Sequence, residues 1–230
     1  MIEILKSADR MISDHGHVAI RRTFAADNPR DPYAGGFGAL FSIAETFIAP
    51  SAGFPLHPHR DMEIISYMAD GAMAHQDSLG NGSVIHTNEV QRMSAGTGIV
   101  HSEFNPSAEK TCRCLQIWIL PSARGIEPSY EQKTFDGQDG LRLIGAPEAA
   151  DGVVAIHQDV ALYAVRIAGR QSAAHALAPD RRAYVQVARG TLSLNGVALE
   201  AGDGAAIKGE PRLLIAAGEV PAEALLFDLA

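Results

Sequence analysis

Short apolar runs of about four to eight residues, separated by Gly, Pro, Asn and Asp, make up most of this chain, and that punctuation belongs to antiparallel sandwiches and barrels. Helical periodicity is scarce. Glu63–Met68, Val90–Met93, Cys112–Leu120 and Val160–Ile167 are rich in β-branched and aromatic residues and are expected to be strands. The turn formers of Asp77–Ser83 (DSLGNGS) join two strand-like stretches, and Asn195-Gly196 between LSL and VAL is a two-residue hairpin signal. Gly71 and Gly190 each open a strand, turn, strand unit, which predicts a duplicated architecture. Pro121–Gly140 is polar and turn-rich and reads as a linker or crossing segment, placing a domain boundary near residue 135.

A length of 230 residues allows one large or two compact domains, and 47% hydrophobic against 20% charged residues is ordinary globular usage. A net charge of −8 repels a phosphate backbone unless positive charge is gathered into a patch. The basic pairs Arg21-Arg22 and Arg181-Arg182 lack the aromatic interleaving of single-strand binders, so direct nucleic-acid binding is not expected. No apolar run approaches the roughly 20 residues that span a bilayer, and MIEILKSADRMISDHGH lacks the apolar centre of a secretory signal, so a cytoplasmic location is expected. Cys112 and Cys114, one residue apart on a predicted strand, point to one face without favourable disulfide geometry and are expected to be buried thiols.

The chemistry gathers in two pairs, His57-Pro58-His59 and His101-Ser102-Glu103. On an extended strand, residues two apart share a face, and neighbouring strands lie about 4.8 Å apart, so the pairs can converge. Three imidazoles and a carboxylate suit Fe, Mn, Co, Ni, Cu or Zn rather than Ca or Mg. Glu63 competes for the carboxylate position, because it shares a face with His59 if the strand continues; its other reading is a group that orients a ligating histidine. His75 and His86, on or beside the connecting hairpin, read as surface residues. His15, His17 and His157 carry no legible role.

The stretch GFPLHPHRDMEIISYMADG (Gly53–Gly71) resembles the first cupin motif, and GTGIVHSEFN (Gly96–Asn105) resembles the second. More narrowly, HPHRDMEIISY, DSLGNGSVI, EVQRMSAGTGIVHSEFNPS, LQIWILP and PSYEQK resemble the pirin family, including its bacterial quercetinase-like members. Ser94 and Ala95 stand where the general cupin motif often has a Pro before its glycine turn, and pirin-like chains share this departure.

The resemblance implies an all-β bicupin: two antiparallel β-barrels of the double-stranded β-helix, jelly-roll type, with few short helices. Residues 1–135 would be a metal-binding N-terminal cupin domain and residues 136–230 a cupin-like domain without metal. It implies one divalent ion on His57, His59, His101 and Glu103, iron first and Ni, Mn, Co, Cu or Zn as alternatives. Because the family takes its carboxylate from the second motif, Glu103 ranks above Glu63. The second half agrees, since Leu177 stands two residues beyond His175 where a partner histidine would be needed. The implied activity is a metal-dependent dioxygenase that opens a flavonol such as quercetin with dioxygen and releases carbon monoxide. Glu103 is then the nearest base for the substrate's hydroxyl proton, either loosening from the metal to accept it or staying bound while the proton leaves through water. The alternative is a non-enzymatic, iron-binding pirin acting as a redox- or metal-dependent regulatory partner protein. A sugar isomerase or epimerase on the same fold is a third reading. A monomer or weak oligomer is expected.

Overall fold

The computed structural model describes residues 1–135 and 137–230. The chain passes through β1 (Ile2–Leu5), β2 (Met11–Asp14), β3 (Val18–Thr23), β4 (Leu40–Ile48), β5 (Gly53–His59), β6 (Glu63–Asp70), β7 (Ala72–Asp77) and β8 (Gly82–His86). It continues through β9 (Glu89–Ser94), β10 (Ile99–Phe104), β11 (Cys112–Ile119), β12 (Ser129–Thr134), β13 (Gly140–Ala146), β14 (Val154–Ala155) and β15 (Val160–Ile167). The last strands are β16 (Ser172–Ala176), β17 (Arg182–Arg189), β18 (Thr191–Leu194), β19 (Val197–Glu200), β20 (Gly204–Lys208), β21 (Arg212–Ala217) and β22 (Ala222–Leu229). Among the described residues a 3-10 turn at Ser7–Asp9 is the one helical element, and no helix is long and apolar enough to cross a membrane.

Two compact units result. The first, called N-terminal below, holds Arg10–Phe135 with Glu148–Gln158; the other, C-terminal, holds Met1–Asp9, Asp136–Pro147 and Asp159–Ala230. The expected boundary near residue 135 adjoins residue 136, which lies outside the described residues. In the N-terminal unit one sheet runs β12-β9-β6-β11-β4-β3-β2 and the other β5-β10-β7-β8. In the C-terminal unit the orders are β1-β20-β17-β22-β15-β13 and β16-β21-β18-β19. Apart from the edge strand β2, the two plans match, with β6 answering to β17, β11 to β22, β4 to β15, β5 to β16 and β10 to β21. Even the irregularity where the sheet's central pair shifts register recurs, at Arg113/Cys114 and at Val187/Arg189. This is the all-β, twin-cupin architecture of jelly-roll type, built from open sheets rather than closed barrels.

Local sequence explains the elements. Glu63–Ala69 is buried throughout, as its near-continuous apolar run requires of a strand covered on both faces. Asn195 and Gly196 both take positive φ, 47° and 85°, the backbone that a tight hairpin between β18 and β19 demands. The Pro121–Gly140 segment is more than a linker, because it contains β12, which pairs along β9 from Ser129↔Ser94 to Thr134↔Glu89. Its polar SYEQKT composition suits a strand at the sheet edge, where charge discourages further pairing, and so hid the strand from an apolar-run reading.

The two interiors are filled differently. In the C-terminal unit Val165, Val185, Leu194, Leu213, Ile215 and Leu226 belong to one continuous apolar cluster. The N-terminal unit has a cluster around Ile48, Met68, Met73 and Cys114 and another around Ile64, Met93 and Ile99. Cys112 and Cys114 are free, buried thiols on β11, as expected. Burial raises both above the ordinary thiol range, Cys112 to about 11.

Candidate metal centre

The site is built on the pairing of β5 with β10. Antiparallel register sets His101 opposite His57 and Ile99 opposite His59, so alternation turns all three imidazoles to one face. Their ring centroids are 4.3 Å apart for His57 and His101, and 4.9 Å for both His57–His59 and His59–His101. One ligand atom from each of the three lies within 4.8 Å of the others. A register shift between His101 and Glu103 follows, and Glu103 falls in a second group of the same span with His101 and His75. The groups share His101, and among the described residues no further cluster of three such side chains occurs.

Gly53 makes the close approach of these strands possible. A Cβ there would stand 2.1 Å from the Glu103 carbonyl oxygen, so only glycine lets β5 lie this near the backbone of Glu103.

Electrostatics favour ligation. Burial, followed by the charge of His57, lowers the His59 pKa to about 4, and burial lowers that of His101 to about 3, so both imidazoles are neutral at pH 7 with a lone pair to offer. Burial pushes the Glu103 carboxyl up to about 7, against a weaker opposing pull from Gln116. Gln116 Nε2 donates to both carboxylate oxygens, at 2.9 and 2.8 Å, and so fixes the carboxylate plane.

Tautomers can be read from the partners. The Pro55 carbonyl 2.8 Å from His57 Nδ1 can only accept, so Nδ1 carries the hydrogen and Nε2 keeps its lone pair. His101 Nε2 is buried and has no hydrogen-bond partner. A buried lone pair without a donor costs about 1–3 kcal/mol unless a cation meets it. Three converging imidazoles, one orphaned nitrogen and an adjacent carboxylate therefore fit a divalent transition-metal ion.

A cavity of about 430 Å³ opens onto this cluster, with His57, His59 and Glu103 in its lining. Its space comes from β4, which presents the small side chains Ser42, Ala44 and Thr46 to the cavity. Register places Arg22, Ala44 and Gln116 in one row across β3, β4 and β11. Trp118 closes one side, its ring edge-on to His59 at 5.2 Å and nearly parallel to Phe41, 8° apart in plane at 6.5 Å.

Glu63 does not join the cluster. The strand does not continue from His59 as its spacing suggested: the chain turns at Asp61, with φ of 50°, and Glu63 opens β6 opposite Ser94. There its Oε2 accepts from Ser94 Oγ at 3.0 Å and from the His157 backbone N–H at 3.2 Å, anchoring the 148–158 segment. His157 thus acquires a structural role that its isolated position in the sequence did not signal. The surface reading holds for His86, which is exposed, and fails for His75, which is 1% exposed. His75 belongs to β7, held between β10 and β8, and the alternation Met73, His75 faces the interior. His175, in the C-terminal unit, bonds to Asp228 through Nε2 at 2.7 Å and stands in no ligand cluster.

Comparison with known proteins agrees with the geometry. Residues 6–119 match the family model described as Pirin, and residues 143–229 match that of the Quercetinase C-terminal cupin domain. The chain is 42% identical over 229 residues to a protein of Escherichia coli K12 named quercetin 2,3-dioxygenase, covering 100% of this chain and 99% of the other. It is 43% identical over 222 residues to a putative quercetin 2,3-dioxygenase of Pseudomonas aeruginosa, covering 95% of each. The crystal structure of the Escherichia coli bacterial pirin YhhW in complex with nickel(II) superposes with a TM-score of 0.92 at 41% identity, covering 100% of this chain and 99% of that one.

Proposed function

The chain belongs to the pirin family, and from that premise we propose that it is a metal-dependent dioxygenase of flavonol-like substrates, with one divalent ion on His57, His59, His101 and Glu103 of the N-terminal unit. The observation that carries this reading is the meeting of three imidazoles, one with an orphaned Nε2, at a cavity walled by aromatic rings. Its volume of about 430 Å³ lies in the range of roughly 300–1,000 Å³ usual for small-molecule sites. The bound ion would act as a Lewis acid that stabilises a deprotonated substrate oxygen beside it.

The protein's own groups supply the rest. Trp118 and Phe41 offer flat apolar faces along which a planar aromatic substrate can lie. Glu103, buried and lining the cavity, would keep one carboxylate oxygen for the ion and take the proton of the substrate's 3-hydroxyl at the other, while Gln116 Nε2, in hydrogen-bond reach of both oxygens, holds the carboxylate plane. Arg22 lines the same cavity, and among the described residues its guanidinium has no hydrogen-bond or ion-pair partner, so it is free to meet an anionic oxygen at the far end of the substrate. In the overall reaction both atoms of dioxygen enter the ester product, the bonds from C3 to C2 and C4 break, and C3 leaves as carbon monoxide.

The test is direct. Iron-, nickel- and manganese-loaded protein is mixed with quercetin while dissolved oxygen and flavonol absorbance are followed. Both fall together with at least one metal; if oxygen stays constant with all three, the dioxygenase reading is lost.

A further inference from the structure

Behind His101, on the side away from His57 and His59, two buried groups are left without a use by the chemistry above. His75 Nδ1 lies 3.4 Å from His101 Nδ1, and His75 Nε2 lies 3.2 Å from Asp77 Oδ2. Both the His75 and Asp77 side chains are fully buried. The arrangement follows from register: β7 pairs with β10 so that Asp77 stands opposite His101 and His75 opposite Glu103.

Hydrogen-bond chemistry leaves one consistent assignment. Asp77 already receives the backbone N–H of Leu79 at 2.9 Å, that of Asn81 at 3.1 Å, and the Asn81 amide at 2.9 Å. A carboxylate so surrounded by donors accepts throughout, so His75 Nε2 must carry a hydrogen. His75 Nδ1 then holds a lone pair, and the His101 Nδ1–H donates to it. That leaves the lone pair of His101 on Nε2, the nitrogen that is buried with no partner in the protein.

We propose that Asp77 and His75 form a buried carboxylate–imidazole chain that locks the tautomer of His101 and aims its Nε2 at the metal. Both are positioning residues: neither touches substrate, and each acts through the next imidazole. The proposal rests on the metal site proposed above and adds to it the groups that hold one ligand in a single state. His57 is held by a backbone carbonyl; His101 is held by a side-chain chain that ends in a charge, which makes it the more electron-rich donor of the two. A rival use of the same atoms exists, because His75, His101 and Glu103 are themselves close enough to share an ion. In that case the facing Nδ1 atoms would bind metal rather than share a hydrogen.

Nitrogen-15 NMR of the metal-free protein separates the two. The proposal expects His101 protonated at Nδ1 and His75 at Nε2. Addition of zinc should then shift His101 Nε2 while the His75 nitrogens keep their neutral pattern, with saturation at one equivalent. His101 found protonated at Nε2, or a His75 Nδ1 that shifts on zinc addition, would overturn it. Among variants, His75→Leu and Asp77→Ala should weaken zinc binding about 10- to 100-fold. His75→Gln, whose amide oxygen can accept the same hydrogen, should restore most of the loss. Unchanged affinity in His75→Leu would also count against the chain. Failure of the unaltered protein to bind zinc at all would remove the metal reading instead, and the metal-free spectrum would still decide the tautomers.

Discussion

The two units share one strand plan and have opposite interiors. Aligning Gly71 with Gly190 and following the ladders, the positions of His59, His101, Glu103 and His75 are taken in the C-terminal unit by Leu177, Leu213, Ile215 and Leu194, all in its apolar cluster. Gln116, which steadies Glu103, answers to Leu226. Only His57 keeps its type, as His175, and that residue bonds to Asp228 instead. The cavity floor changes as well: Ser42, Ala44 and Thr46 answer to Ala161, Tyr163 and Val165. One frame therefore supports either a dry core or a polar site, and the exchange of these few side chains decides which.

The comparison can be broken most severely at His101. His101→Leu copies Leu213 and should abolish stoichiometric metal retention after dialysis, with the folded state kept because an orphaned nitrogen is exchanged for an apolar side chain. Retained metal would mean that the strand partners are not equivalent in role. Next, Ala44→Tyr copies Tyr163 and should fill the cavity floor. Metal content is expected to stay near that of the parent while oxygen uptake with quercetin disappears; turnover at the parental rate would show that substrate does not enter over β4.

The reverse exchange should be smaller. Leu213→His buries an imidazole among apolar neighbours with no partner, and should cost about 1–3 kcal/mol in denaturant unfolding without recruiting metal. An unshifted midpoint would show that this interior is more polar than its residues suggest.

Acid should separate the units more gently. In metal-free protein the folded state keeps His59 neutral down to about pH 4, while the unfolded chain protonates it near its ordinary 6.5. Stability from that group is complete above 6.5 and falls as the pH drops from there to about 4. In the C-terminal unit burial acts to raise the Asp228 pKa, yet hydrogen bonds from His175 and Arg181 prevail and hold it below 3.8. Its contribution should survive until the pH passes below that ordinary value. Hydrogen exchange at pH 5 is thus expected to loosen β5 and β10 before β16 and β21, and the opposite order would contradict the charge assignment.

Much of this was legible in the sequence. The punctuated apolar runs announced the strands, and the two spaced pairs named His57, His59 and Glu103, each of which the structure groups with His101. What stayed hidden depended on contacts distant in the chain. His75 looked like a hairpin residue because the strand that covers β7 lies more than twenty residues away. Glu63 looked collinear with His59 because a turn at Asp61, with no Gly or Pro to mark it, is invisible to spacing arguments. The cavity had a faint signature in the alternate small residues of β4, but smallness becomes space only when the neighbours on β3 and β11 are known.

The two thiols of β11 lie sealed in the interior and are held protonated, so alkylating reagents and peroxides can reach them only when the sheet itself parts. Under the dioxygenase reading proposed above, that sulfur would stay chemically silent beside the oxygen chemistry. The alkylation rate of those thiols, read as a mass increase, then becomes a clock for opening of the N-terminal unit.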